Sequence, residues 1–251
     1  SDGTIVAIGA QYHDGGKGTT RIYTYSTPGL IGGSWTQLGS DIDGTDASEQ
    51  SGFSVSLSSD GSIVAIGAYI HDGGKGTTRI YQNLTGTWTQ IGLDIDGADA
   101  SERSGVSVSL SSDGTIVAIG AYMHDGSKGT TRIYQNLTGT WTQIGSDIDG
   151  VDGSEYSGMS VSLSSDGSIV AIGAYGHDGN KGTTRIYQNI TGTWTQIGSD
   201  IDGSGAIEYS GISVSLSSDG TTVAIGAHYH DGQKGTTRIY QNITGTWTQI
   251  G

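Results

Sequence analysis

Ser54-Val55-Ser56-Leu57-Ser58-Ser59-Asp60-Gly61-Ser62-Ile63-Val64-Ala65-Ile66-Gly67-Ala68 decides the reading of this chain. Its first five residues alternate small polar with apolar, the period of a strand whose two faces meet different neighbours. Residues 62–68 are apolar almost throughout, as in a strand covered on both faces. Ser-Asp-Gly between them is of hairpin length and ends on the residue that accepts positive φ most readily. Outward from this hairpin come a third strand at Thr77 to Tyr81 and a fourth at Thr87 to Ile91, joined by the short turn Asn83 to Gly86.

The hairpin recurs. Ser-Asp-Gly stands at Ser1, Ser59, Ser112, Ser165 and Ser218, and the last three intervals are each 53 residues. The first interval is 58 residues, because unit one carries the longer loop Thr24 to Gly33 with the sole proline, Pro28. Four short antiparallel strands at such a period describe one blade of a β-propeller. The expectation is an all-β, single-domain propeller of five four-stranded blades, at about 1–39, 40–92, 93–145, 146–198 and 199–251. Unit one starts at the second strand, so its blade is expected to lack the innermost one. The opening Ser1-Asp2-Gly3 falls mid-motif, which reads as a mature or trimmed fragment.

The run Ser51-Gly52-Phe53-Ser54-Val55-Ser56, then Val64-Ala65-Ile66-Gly67-Ala68-Tyr69, then Thr78-Arg79-Ile80-Tyr81, resembles the FG-GAP repeat of integrin α-subunit propellers, in all five units. Tyr69 stands where that family usually has proline. The family's Asp-rich calcium loop between the first two strands is missing, since only Ser59-Asp60-Gly61 connects them. The resemblance implies an extracellular propeller used in adhesion or assembly.

Charge narrows the partners. The formal net charge is −14, with 11 basic residues of which ten occupy the same two repeat positions. Nucleic acids and anionic membranes need clustered Lys and Arg, so neither is expected as a partner. No apolar stretch approaches the ~20 residues of a membrane helix. Cysteine is absent, so there is neither a disulfide framework nor a thiolate metal site.

In an antiparallel meander alternate connections lie at opposite ends of the strands. One end gathers the loop before each first strand together with the loop between the second and third. The former carries Asp41, Asp43, Asp46 and Glu49, then Asp94, Asp96, Asp99 and Glu102, then Asp147, Asp149, Asp152 and Glu155. Carboxylates spaced over nine residues around a glycine resemble the oxygen-rich loops Ca²⁺ prefers; Asp side chains capping their own turns give the same sequence. The latter carries His-Asp-Gly-x-Lys, at His71, Asp72 and Lys75, His124, Asp125 and Lys128, His177, Asp178 and Lys181, and His230, Asp231 and Lys234, with a fifth copy at His13. It reads either as a ligand or sugar contact, or as a turn whose Lys or following Arg pairs with a carboxylate. The units differ mainly at this end, for example at Gln50, Arg103, Tyr156 and Tyr209, and at Ile70, Met123, Gly176 and Tyr229. Partners are therefore expected here.

The other end carries Asn83, Asn136, Asn189 and Asn242, each in an Asn-x-Thr acceptor for N-glycosylation on a hairpin. No nucleophile elbow, zinc-type spacing or phosphate loop occurs, so catalysis is not expected. Two functions remain: a secreted structural or adhesive module that contacts other extracellular proteins or copies of itself, and a multivalent carbohydrate-binding propeller. For the second, Tyr12, Tyr69, Tyr122, Tyr156, Tyr175, Tyr209 and Tyr229 are the candidate stacking rings. Calcium is the one cofactor the spacing suggests.

Overall fold

A computed structural model describes residues 3–26 and 32–250; most of the Pro28 insertion, residues 27–31, lies outside them. The chain is all-β, with five antiparallel sheets in sequence order. In the second unit the sheet runs Ser54–Leu57, Ile63–Ala68, Thr77–Leu84, Thr87–Gln90, in that spatial order. Units three to five repeat this order. Unit one has Ile5–Ala10, Thr19–Tyr25 and Trp35–Gln37, and among the described residues Ile5–Ala10 has a single strand neighbour, Thr19–Tyr25.

The hairpin chemistry closes as its residues dictate. Asp60 Oδ1 accepts from the Ser58 hydroxyl at 2.7 Å and from the Ser62 amide at 2.9 Å, while Gly61 sits at φ +69°. On the first strand the two faces then divide. Val108 and Leu110 join Ala65, Ile80 and Ile95 of the preceding sheet in one buried cluster. The alternating serines point to the following sheet: Ser107 Oγ donates to the Gly158 carbonyl at 2.8 Å, and Ser109 Oγ accepts from the Leu163 amide at 3.0 Å. Small residues are needed because the sheets nearly touch here. A Cβ built on Gly120 would lie 1.9 Å from the Gly158 carbonyl oxygen.

Each seam is a private core. Ile133 and Ile148 of unit three face Val161, Leu163, Val170 and Ile172 of unit four, and the same set recurs at the other seams. Burying one such isoleucine contributes about 1.5–3 kcal/mol. The tryptophans lock the rim: Trp88, Trp141, Trp194 and Trp247 donate Nε1–H to the carbonyls of Leu38, Ile91, Ile144 and Ile197, at 2.8–2.9 Å. Near the middle, the Ser59 amide donates to Ser112, Ser112 to Ser165 and Ser165 to Ser218, at 2.7–2.8 Å.

Two features differ from the sequence reading. Ile42–Asp43, Ile95–Asp96, Ile148–Asp149 and Ile201–Asp202 are two-residue strands on the third strand of the sheet before them, with Thr77 opposite Asp96 and Thr78 opposite Ile95. The loop before each first strand thus begins inside the preceding sheet, so the handover between units falls a few residues later than 39, 92, 145 and 198. Between second and third strands, four-residue helical turns replace an open loop, as at His71–Gly74, where Asp72 takes φ 47°. Asp is among the residues that tolerate this left-handed conformation.

Candidate functional site: a buried ion-pair seam beneath an aromatic arc

Glu102 shows what the acidic loop does. Its side chain is 1% exposed, and Oε1 accepts from Arg132 Nη1 at 2.7 Å and from the Ala98 amide at 2.8 Å. Oε2 lies 2.8 Å from His124 Nδ1. Arg132 in turn donates Nε–H to Asp147 at 2.7 Å, and Gln143 donates to the other oxygen of Asp147 at 2.7 Å. Glu102 precedes the first strand of unit three, Arg132 lies on its third strand, and Asp147 is in the segment leading to unit four. The chain Glu–Arg–Asp therefore ties a unit's entry loop to its third strand and to the segment that returns to the same sheet at Ile148–Asp149.

The motif repeats. Glu49 pairs with Arg79 at 2.8 Å and His71 at 2.8 Å, Glu155 with Arg185 at 2.6 Å and His177 at 2.8 Å, and Glu208 with Arg238 at 3.0 Å and His230 at 2.7 Å. Arg79 reaches Asp94 and Arg185 reaches Asp200, both at 2.7 Å. Burial works against ionised Glu208, yet hydrogen bonds from Arg238, His230 and Ser204 outweigh it and hold the carboxyl at about 2. Glu49, Glu102 and Glu155 are shifted in the same direction, burial opposing and the arginine prevailing. Arg79 and Arg132 are held protonated, the carboxylates outweighing their burial.

The anticipated nine-residue ligand set thus does not converge as one cluster. Asp41, Asp94 and Asp147 are claimed by an arginine and a glutamine each. Asp43, Asp96 and Asp149 are strand residues on the side of the preceding sheet. Asp46 with Glu49 and His71, and Asp99 with Glu102 and His124, do come within 4.8 Å of one another, as do His71 with Asp94 and Asp96, and His124 with Asp147 and Asp149. Asp152 lines a neighbouring hollow with Glu155 and His177. Asp200, Asp202 and Glu208 were absent from the sequence-based set because Gly205 replaces the third Asp of that loop, yet Glu208 takes the same part as its three counterparts. The signal was the Glu retained at 49, 102, 155 and 208, each 30 residues before an Arg.

Asp72, Asp125, Asp178 and Asp231 form the left-handed corners of their turns. Lys128 and Lys234 bridge to Asp125 at 2.9 Å and Asp231 at 2.7 Å on the exposed rim. The loop before each first strand is held by backbone bonds on both flanks: the Arg103 amide donates to Gly74 at 3.0 Å and the Met123 amide to Glu102 at 3.1 Å.

That sandwiching brings the variable positions together. Tyr122 meets Tyr156 at 6.1 Å between centroids, Tyr156 stacks on Tyr175 at 5.0 Å and 5°, Tyr175 meets Tyr209 at 5.8 Å, and Tyr209 meets both His228 and Tyr229. Toward unit one the row continues as Arg103 over the Tyr69 ring at 5.8 Å, and Tyr69 beside Phe53. Rings from neighbouring units alternate along one half-buried arc. Burial, reinforced by Tyr156, Tyr122 and Tyr209, pushes the Tyr175 hydroxyl up to about 12, so it remains a hydrogen-bond donor. Tyr12 stands at the first unit's end of this face, 70% exposed.

At the opposite end the sequon asparagines serve their own hairpins. Asn83, Asn136, Asn189 and Asn242 accept from the amides of Gly86, Gly139, Gly192 and Gly245 at 2.7–2.8 Å. In this arrangement Nδ2 of Asn83, the atom a glycan would join, is buried.

No family profile matches the sequence, and no curated protein does. Among solved structures, the chain is similar to a putative 6-phosphogluconolactonase from Bacteroides uniformis, at 14% identity, with a TM-score of 0.68, over 100% of this chain and 68% of that one. It is also similar to the hydrazine synthase of Kuenenia stuttgartiensis, at 14% identity, with a TM-score of 0.55, over 79% of this chain and 49% of that one. At this identity the likeness carries the propeller-like fold and no activity. Among the described residues, no helix is long and apolar enough to cross a membrane.

Proposed function

We propose that the chain is a non-catalytic, extracellular contact module: an open propeller of five blades whose seams are fixed by the Glu–Arg–His network and whose aromatic end meets other proteins or copies of itself. The aromatic arc carries this reading. It interleaves the repeated Tyr69, Tyr122 and Tyr175 with Arg103, Tyr156 and Tyr209, side chains at a position where the units diverge, whereas the residues beneath them repeat with little change. An active site needs an asymmetric set of groups with free valences; here the histidines and carboxylates repeat and are spent on one another. The resemblance to FG-GAP repeats supports the extracellular, adhesive part of the proposal, and the enzyme name of one structural neighbour does not transfer at 14% identity.

Calcium at Glu49 or Glu102 would compete with a guanidinium already bonded to that carboxylate. We therefore assign Glu49, Glu102, Glu155 and their Asp partners to ion pairing.

A second reading, glycan binding, is favoured by the same arc. Tyrosines with an exposed edge and a protonated hydroxyl suit the apolar face and hydroxyls of a sugar ring, and a row of them yields avidity by repetition. A glycan array probed with the intact chain and with the Tyr156→Ser/Tyr209→Ser variant decides between the two. Under the glycan reading the signal falls at least about tenfold in the variant, since losing a stacked ring at two sites removes more than ~1.4 kcal/mol. Equal signal from both proteins, or from neither, removes it and leaves protein contact.

A further inference from the structure

Unit four carries a hollow on its loop face. The turn position that holds Ile70 in unit two, Met123 in unit three and Tyr229 in unit five is Gly176. The entry loop closes over it: a Cβ built on Gly176 would lie 2.2 Å from the Ser154 carbonyl oxygen and 2.6 Å from the Tyr156 ring. With no side chain at this position, loop and turn border a hollow of about 490 Å³. Asp152, Glu155 and Tyr156 line it from the loop, and Gly176, His177 and Asp178 from the turn.

The carboxylates at its mouth are unspent. In other units Asp46 and Asp99 lie 3.4 and 3.5 Å from His71 and His124, and Asp125 and Asp231 are bridged by Lys128 and Lys234. Asp152 and Asp178 are exposed, and among the described residues their side chains hold neither a hydrogen bond nor an ion pair. Lys128 feels the field of Asp152 but is already bridged to Asp125. Glu155 differs from its counterparts as well. Its Oε1 is buried without a hydrogen bond, although Arg185 at 2.6 Å and His177 at 2.8 Å are in ion-pair contact with it. Glu49, Glu102 and Glu208 are hydrogen-bonded to their histidines. Negative charge therefore surrounds a half-buried tyrosine ring. Elsewhere on this face a guanidinium already rests on such a ring: Arg103, the unit-three counterpart of Tyr156, lies over Tyr69 at 5.8 Å.

We propose that the hollow at Gly176 takes an arginine side chain of a partner polypeptide, with its guanidinium against the Tyr156 ring and the Asp152 and Asp178 carboxylates as acceptors. This rests on the reading of the face as a protein-contact surface, and it names the group that the surface selects. A planar guanidinium stacks on an aromatic ring while its edge donates to carboxylates, a combination that a compact ammonium does not match. The chain's net charge of −14 draws a cationic partner during encounter. An anionic group would instead meet two uncompensated carboxylates.

The test titrates the full chain with acetyl-glycyl-arginyl-glycinamide and follows the amide chemical shifts. Expected is a saturable shift at millimolar peptide, confined to residues 152–156 and 176–180. The citrulline peptide, of the same shape without the charge, produces none, and the lysine peptide binds several-fold more weakly. Asp152→Asn/Asp178→Asn weakens arginine binding by about tenfold or more, the scale of hydrogen bonds to a charged group. Both positions are exposed, so this variant is expected to keep its fold. Gly176→Met fills the hollow with the side chain of unit three and abolishes the shift; because the new Cβ presses on Ser154, the Asp pair carries the decision. No shift at millimolar peptide, an equal shift with citrulline or lysine, shifts elsewhere on the face, or indifference to the Asp pair overturns the proposal. The wider contact reading is judged by the glycan array, so a failed pocket with that result unchanged removes the arginine site alone.

Discussion

Arg132→Ala is expected to destabilise the chain by about 3–5 kcal/mol, read as a lower midpoint in urea. The loss is large because the arginine is shared: it holds Glu102, which is 1% exposed in the entry loop between units two and three, and Asp147, in the segment that returns to unit three's own sheet at Ile148–Asp149. Its removal leaves a buried carboxylate with only His124 and the Ala98 amide, and the protein must either keep that charge unpaired or let water in. Because a repeat array is stabilised by its neighbours in one dimension, the effect should concentrate at one place. Amides of units two and three lose protection first, because the Glu102 loop is bonded to the unit-two turn through Arg103 and Ser104, while the seam between units four and five holds. Arg103→Ala supplies the contrast. Arg103 lies over the Tyr69 ring on the loop face rather than in the ion-pair chain, and its loss should cost no more than about 1 kcal/mol. Comparable losses for the two variants would mean that the buried network does not hold the seams.

Gly120→Ala should be among the most damaging changes that add a single methyl group. The new Cβ would sit 1.9 Å from the Gly158 carbonyl and 2.4 Å from the Ser107 hydroxyl. The first of these is backbone of the next unit, so relief requires the sheets to part, and the Ser107–Gly158 hydrogen bond goes with it. Overpacking of this kind costs about 3 kcal/mol or more. Gly126→Ala controls for backbone strain alone. Its φ is +67° with nothing within 4 Å of the new atom, so only the left-handed penalty of about 1–2 kcal/mol applies. Thermal unfolding of the two variants side by side checks the ranking, and a smaller loss at Gly120 than at Gly126 would contradict the close approach of the sheets.

Much of this was legible in the chain. The Ser59-Asp60-Gly61 hairpin, the period of 53 residues and the covered second strand follow from local rules, because turn chemistry and alternation act within a few residues. Thr77–Leu84 runs past the Tyr81 expected from sequence, since Asn83 closes the turn onto Gly86 and lets pairing continue to the tip. Ile95–Asp96 was missed because two residues carry no periodicity; what makes them a strand is Thr77 and Thr78, nearly twenty residues away. The acidic loop folds away from its linear spacing for the same reason. Read along the chain, Asp94, Asp96, Asp99 and Glu102 look like one oxygen cage, but Glu102 faces Arg132 and Asp94 faces Arg79, on opposite sides in sequence. Spacing reports what can converge locally, and here the partners come from the folded sheet. The aromatic arc was visible only as scattered tyrosines, since Tyr156 and Tyr175 meet through the sandwiching of one unit's entry loop between two turns.

The repeated glutamates are bonded to the chain's own arginines and histidines, and the thermal midpoint of the intact chain as a function of pH, in millimolar calcium and in chelator, reads whether that pairing leaves room for a cation. A group held below its unfolded value stabilises fully above that value and loses its contribution as pH falls through the folded one. With Glu208 at about 2 against an ordinary 4.5, and its three counterparts shifted the same way, the midpoint should be flat above about 4.5 and fall steadily toward 2. The calcium and chelator curves should superimpose throughout. A calcium-dependent rise near neutral pH, of the size that about 2.7 kcal/mol from an ion at a hundred times its Kd would produce, would show that the carboxylates hold a cation instead.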